Sequence, residues 1–340
     1  MSSRSDPRSS GERRSFGVTD LHVHLEGSLF PDAAAELVTS DHPWAGLTGS
    51  EIRKRFRFAS FAEFLAAVRD MCLLLRSAEA LASAAKALSV FLSQNGIEYA
   101  EVYHSPHIFV RWGMEYHEVL DAVEAGFEDG ERRGGARCMI LLDTVRQWGA
   151  EPAEKIVDEQ QKRRKGRVIG FGIGGDETVS LVGFQKAFEG ARVLGLGTVA
   201  HAGEHGPASD VADALDCLGV DRIAHGIRAL DDPGLINEIR SRGVALDLAV
   251  TSNYRTKAVS GTHPIRYLID AGVAVTLGTD DPSLFRTDPI REFRRARRFG
   301  RLDESELTAI ARSGIEHSFA TDEEKRHFRT ALSQRIGTPY

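Results

Sequence analysis

His22 and His24 close a short apolar run, Gly17–His24. On a strand, residues i and i+2 point to the same face, and two neutral imidazoles on one face suit a borderline cation such as zinc. Alone, such a pair is weak evidence, because it also arises by chance. His201 adds a third nitrogen and Asp280 an oxygen, each after a later apolar run. Three histidines and one aspartate leave room for a water, whose pKa a bound zinc lowers to about 7. Glu204 lies three residues past His201, close enough to share the pocket without holding the same ion. In a dry pocket its carboxyl would keep a proton and could donate it. His225 could hold the water and take its proton. Singly, Glu204 reads as a loop cap and His225 as a hydrogen-bonded core residue; together, at the ends of consecutive strands, they read as chemistry.

Eight apolar or β-branched runs recur along the chain: Gly17–His24, Ile97–Tyr103, Ala136–Asp143, Arg167–Ile173, Gly197–His201, Arg222–His225, Val244–Val250 and Val273–Gly278. Segments of helical period, such as Glu79–Gln94, Tyr116–Gly134 and Leu181–Leu194, lie between them. This alternation predicts an α/β fold, a (β/α)8 TIM barrel with a helical insertion between strands 1 and 2. An open doubly wound sheet would want a glycine-rich turn after its first strand, and His24-Leu-Glu-Gly27 is not one. In such barrels the active site forms where strands meet the loops that follow them, and the unusual polar residues collect at those places. They include His22, His24, His107, Gly174 to Glu177, His201, Glu204, His225, Thr251 to Asn253 and Thr279 to Pro282.

About seventy residues separate the first two strands, far more than a helical crossover needs. The insert carries Phe56, Phe58, Phe61 and Phe64. These are expected to pack the core of extra helices; the other reading is a lid that sets one or two rings over the barrel mouth.

With 340 residues, 42% apolar and 27% charged, the chain can build one sizeable core. Residues 1–15, rich in Ser and Arg, read as a disordered tail, and residues 16–340 as a single barrel domain. The net charge of −6 and the lack of a basic block argue against nucleic acid as a partner. No run of eighteen apolar residues is present, so no membrane partner is expected. Cys72, Cys138 and Cys217 lie far apart and form no C-x-x-C pair, which fits a reducing, cytoplasmic setting. A homo-oligomer is compatible with all of this.

His22-Val-His-Leu-Glu-Gly27, Gly174-Gly-Asp-Glu177, His201-Ala-Gly-Glu204, Arg222-Ile-Ala-His-Gly226, Thr251-Ser-Asn253 and Thr279-Asp-Asp-Pro282 resemble the adenosine deaminase family of the amidohydrolase superfamily, from about residue 17 onward. The resemblance implies one zinc per chain on His22, His24, His201 and Asp280. It implies that Glu204 protonates purine N1, that His225 orients the attacking hydroxide and acts as base, and that Asp281 hydrogen-bonds N7. The Gly175 N–H would reach N3, and Glu26 would contact the 5′-hydroxyl. The implied reaction converts the 6-amino group of a purine nucleoside, adenosine or 2′-deoxyadenosine, to the 6-oxo form with release of ammonia.

Three departures bear on the substrate. Glu26 stands where the adenosine branch usually has Asp, Ala249-Val250 replaces Cys-Pro, and Lys257 replaces a common Gly. The extra methylene of Glu26 moves its carboxylate by roughly 1.5 Å, so a modified nucleoside such as aminodeoxyfutalosine, of menaquinone biosynthesis, is the alternative substrate. Family adenine deaminases also favour Glu there but differ at Gly174-Gly-Asp-Glu177. A purely binding relative would be expected to lack a ligand or the proton donor, and all are present. Cytidine-type zinc deaminases need a P-C-x-x-C that this chain does not have.

Overall fold

All eight apolar runs are strands, paired in parallel and in chain order: β1 (Thr19–His24), β2 (Tyr99–His104), β3 (Arg137–Val145), β4 (Val168–Gly174), β5 (Gly197–Ala202), β6 (Arg222–His225), β7 (Ala245–Leu248) and β8 (Val275–Leu277). The computed structural model describes residues 17–163 and 166–337, so the expected tail over 1–15 lies outside the described residues. Registers such as Tyr99 opposite Arg137 and Gly170 opposite Gly197 run around the ring. Closure comes from two backbone hydrogen bonds between β1 and the end of β8. The His24 N–H donates to the Asp280 carbonyl and the Asp280 N–H to the His22 carbonyl, each at 2.7 Å. The seam of the barrel therefore fixes three of the expected metal ligands relative to one another.

The barrel interior is filled, as a (β/α)8 core should be. Tyr103, Leu141, Val199 and Ala224 pack together inside it. Below them, buried Arg222 pairs with Glu101 (2.6 Å) and Asp247 (2.8 Å) and lies over the Phe319 ring. A buried charge must be paired and hydrogen-bonded to be tolerated, and this network closes the lower end. The upper end, where the strands finish, stays open to form the site.

Every strand but β6 differs from its expected run by one or two residues at one or both ends, and β7 and β8 lose residues at both. β7 stops at Leu248 and not at Val250, because Val250–Arg255 turns into a short helix. Buried Glu292 fixes that turn by accepting hydrogen bonds from the Thr251 N–H (3.0 Å) and its hydroxyl. β8 is shorter than Val273–Gly278 at both ends.

The insert after β1 holds the helices Pro31–Leu37, Gly49–Arg55, Phe61–Cys72 and Ala78–Gln94. Ser60 and Ser77 cap the last two by accepting from backbone N–H groups three residues on. The phenylalanines divide between the two expectations. Phe56 is buried against Trp44, and Phe58 packs on Phe64 and Phe285. Phe64, stacked on Phe285, and Phe61, against His205, line the mouth of the site. No described helix is long and apolar enough to cross a membrane, and all three cysteines are free thiols.

Candidate active site

At the top of the barrel β1, β5, β6 and the end of β8 bring His22, His24, His201, His225 and Asp280 into one cluster. His24 Nε2 is 3.2 Å from His201 Nε2. Asp280 Oδ1 lies 3.9 Å from His22 Nε2 and 3.5 Å from His24 Nε2, and its Oδ2 lies 3.6 Å from His225 Nε2. Backbone carbonyls set two of the tautomers. His22 Nδ1–H donates to the Asp247 carbonyl and His201 Nδ1–H to the Ile173 carbonyl, each at 3.0 Å. Both Nε2 lone pairs are thereby turned into the cluster, the arrangement that metal-binding histidines use. His22 Nε2 is buried with no hydrogen-bond partner.

Burial pushes the His24 imidazole down to about 4, and burial with the neighbouring imidazoles holds His201 and His225 far below their usual range. Burial works against ionisation of Asp280, yet His22, His24 and His225 hold its carboxyl below the usual range. The neutral imidazoles of His24 and His201, the unpartnered His22 Nε2 and the ionised Asp280 are a donor set that fits a divalent cation. His225 and Asp280 both take left-handed backbone, φ 63° and 59°, a conformation that non-glycine residues hold only where surroundings impose it.

A directed hydrogen-bond chain leads into this cluster. The Ile265 N–H donates to His263 Nδ1 (3.1 Å), so the His263 proton is on Nε2 and goes to Asn253 Oδ1 (3.1 Å). Asn253 must then turn its amide NH2 to Glu204 Oε1 (3.2 Å) and His225 Nδ1 (3.0 Å). With Nδ1 accepting, neutral His225 carries its hydrogen on Nε2, which faces Asp280 and, at 3.6 Å, Glu204 Oε2. That hydrogen suits the orienting part of the role expected for His225.

Burial, then the Asp280 charge and then Glu177, raise the Glu204 carboxyl well above its ordinary value. Its loop is held by Glu177, whose carboxylate accepts from the backbone N–H groups of Glu204 (3.3 Å), His205 (2.6 Å) and Gly206. Thr256 Oγ1 stands 3.0 Å from Glu204 Oε1, leaving Oε2 on the cluster side.

A cavity of about 380 Å³ opens above the cluster. Asp281, Glu26, Gly175, Glu204 and His225 all line it. Burial and the Asp280 charge raise the Asp281 carboxyl, which favours its neutral, donating form. Asp281 presses so closely on the loop after β1 that a Cβ at Gly27 would lie 1.5 Å from its Oδ1. Gly175 has φ 110°, open to glycine and not to side-chain-bearing residues. Glu26 Oε1 accepts from the Ser105 N–H (3.0 Å) and pairs with His104 Nδ1 (2.9 Å). Burial opposes its charge, but His104 and these bonds hold it below its ordinary range.

The sequence profile of the adenosine deaminase family matches residues 18–335. The chain belongs to the adenosine deaminase family. Among relatives in this family, the adenine deaminase of Sinorhizobium medicae is 31% identical over 317 residues, covering 92% of this chain and 97% of that protein. The aminodeoxyfutalosine deaminase of Streptomyces avermitilis is 32% identical over 308 residues, covering 88% and 86%. A zinc-bound amidohydrolase from Burkholderia ambifaria superposes with a TM-score of 0.88 at 26% identity, covering 98% of this chain and 95% of that one. Lys257, which stands where the resemblance leads one to expect glycine, takes φ 70°, backbone that favours glycine.

Proposed function

We propose that the protein is a zinc-dependent hydrolytic deaminase of adenine nucleosides, and that nucleosides extended at the 5′ position fit its cavity best. The observation that carries the reading is the lining of the cavity. Besides the His/Asp cluster and Glu26, it is lined by Val68, Ile108, Trp112 and Trp148, with Arg69 and Arg111. A lone base would meet only part of this lining; the apolar and aromatic residues suit a substituent beyond the sugar. The Streptomyces avermitilis relative, which by name acts on aminodeoxyfutalosine, supports this class.

His22, His24, His201 and Asp280 would hold the zinc, one ion per chain. When bound, it supplies Lewis-acid activation of the attacking water. Glu204, kept neutral by burial and by Asp280, gives its proton to purine N1 and draws electrons from C6. Asp281, likewise neutral, donates to N7. His225 Nε2–H orients the water for attack on C6. The new C6–O bond forms and the C6–N6 bond breaks; of the two protons the water gives up, one goes to the amino group, which leaves as ammonia, and the other restores the Glu204 carboxyl. The Gly175 N–H is assigned to N3 and Glu26 to the sugar's 5′ end.

Free adenine is the second reading, favoured by the adenine deaminase relatives. Ammonia release from adenine, adenosine, 2′-deoxyadenosine, 5′-modified adenosines and aminodeoxyfutalosine separates the two. Nucleosides, the 5′-extended ones first, should give the highest kcat/KM. Adenine as the best substrate would overturn the nucleoside reading.

A further inference from the structure

Asp143, near the end of β3, has no role in the chemistry above, yet it lines the same cavity between Ser105 and Gly174. It is 6% exposed. One carboxyl oxygen, Oδ2, accepts from the Ser105 hydroxyl at 3.1 Å. The other, Oδ1, is buried with no hydrogen-bond partner. A buried polar atom without a partner is costly unless something in the functional state satisfies it. The carboxyl lies against the backbone of Gly174, where a Cβ would be 3.4 Å from Oδ2 and 3.5 Å from Oδ1. Its place is thus fixed: beside Gly175 on one side, and linked through Ser105 to Glu26 on the other.

On the nucleoside reading, on which this inference rests, Gly175 faces N3 and Glu26 the 5′ end. Between N3 and C5′ a nucleoside presents its 2′ and 3′ carbons. N9 is glycosylated and bears no hydrogen, so the polar hydrogens on this edge belong to the sugar hydroxyls. We infer that Asp143 is a specificity-determining residue whose Oδ1 hydrogen-bonds the 2′- or 3′-hydroxyl of the substrate. Burial, followed by the Glu26 charge, pushes the Asp143 carboxyl up to about 8. At neutral pH it can therefore both give and take a hydrogen bond, as a hydroxyl can.

The test compares kcat/KM for adenosine with 2′-deoxyadenosine, 3′-deoxyadenosine and 5′-deoxyadenosine in wild type, Asp143→Ala, Asp143→Leu and Asp143→Asn, with adenine as a further substrate. Wild type should lose roughly 10-fold or more when the 2′- or the 3′-hydroxyl is removed. Asp143→Ala should abolish that discrimination while leaving the adenosine to 5′-deoxyadenosine ratio in place. Asp143→Leu, which fills similar space, gives the same reading if the smaller variant does not fold. Asp143→Asn, with a donor and an acceptor, should keep most of the discrimination. Uniform loss on all substrates would mean a structural role and overturn the inference, as would 2′ and 3′ ratios unchanged in both Ala and Leu variants. A wild type that turns over adenine alone would overturn the nucleoside reading itself, a result visible before any variant is made.

Discussion

Asn253 donates its side-chain amide to Glu204 across 3.2 Å, and His263 leaves it no other orientation. A hydrogen bond donated to a carboxyl favours the charged form, so Asn253 restrains the upward shift that burial and Asp280 impose on Glu204.

This gives a pH prediction with a definite sign. Glu204 must be protonated to act, so kcat/KM falls on the alkaline side as it ionises. Asn253→Ala removes the donor and raises the Glu204 pKa further, and the alkaline limb should move to higher pH. The rate at the plateau should also drop, because His225 loses the partner that sets its tautomer. A limb that moves to lower pH would contradict Glu204 as the acid.

Glu204→Gln should bind metal as wild type does and lose about 10² to 10⁴ in turnover, the usual range for a lost general acid. The amide keeps the contact to Thr256 but has no proton to give N1. Zinc content and kcat, measured on the same preparation, check this together.

Much of this was legible in the chain. Strands of a covered parallel barrel are apolar through their length, so the eight runs stood out, and the polar residues ending them marked the site. The supports were not legible. The Asp247 and Ile173 carbonyls that orient His22 and His201 are backbone groups with no residue signature. Asn253 stood in a recognisable Thr-Ser-Asn, but its direction depends on a lone histidine ten residues later, His263, which a sequence presents as an ordinary core residue. The pairing of Glu26 with His104 joins strand ends far apart in sequence, and Asp143 reads as one more polar residue closing an apolar run.

Glu26→Asp tests the sugar end. The shorter side chain would withdraw from His104 and the Ser105 N–H, shifting the preference between adenosine and 5′-extended nucleosides by roughly 10- to 200-fold. Ratios of kcat/KM across the two classes are the readout. Equal losses on both would make Glu26 structural.

Gly27→Ala should cripple activity through Asp281. Its Cβ would fall 1.5 Å from Asp281 Oδ1, so the carboxyl must move away from the place assigned to N7. We expect KM to rise and kcat to fall while zinc content stays near wild type. Normal kinetics in this variant would show that Asp281 is not placed by this contact.

The central claim is that one metal ion, held at the strand ends by His22, His24, His201 and Asp280, is required for the deamination. Metal-free protein titrated with zinc, with ammonia release from an adenine nucleoside followed at each addition, tests it most directly. Activity should rise from near zero and break sharply at one equivalent. Full activity without metal, or a break at two equivalents, would contradict the account.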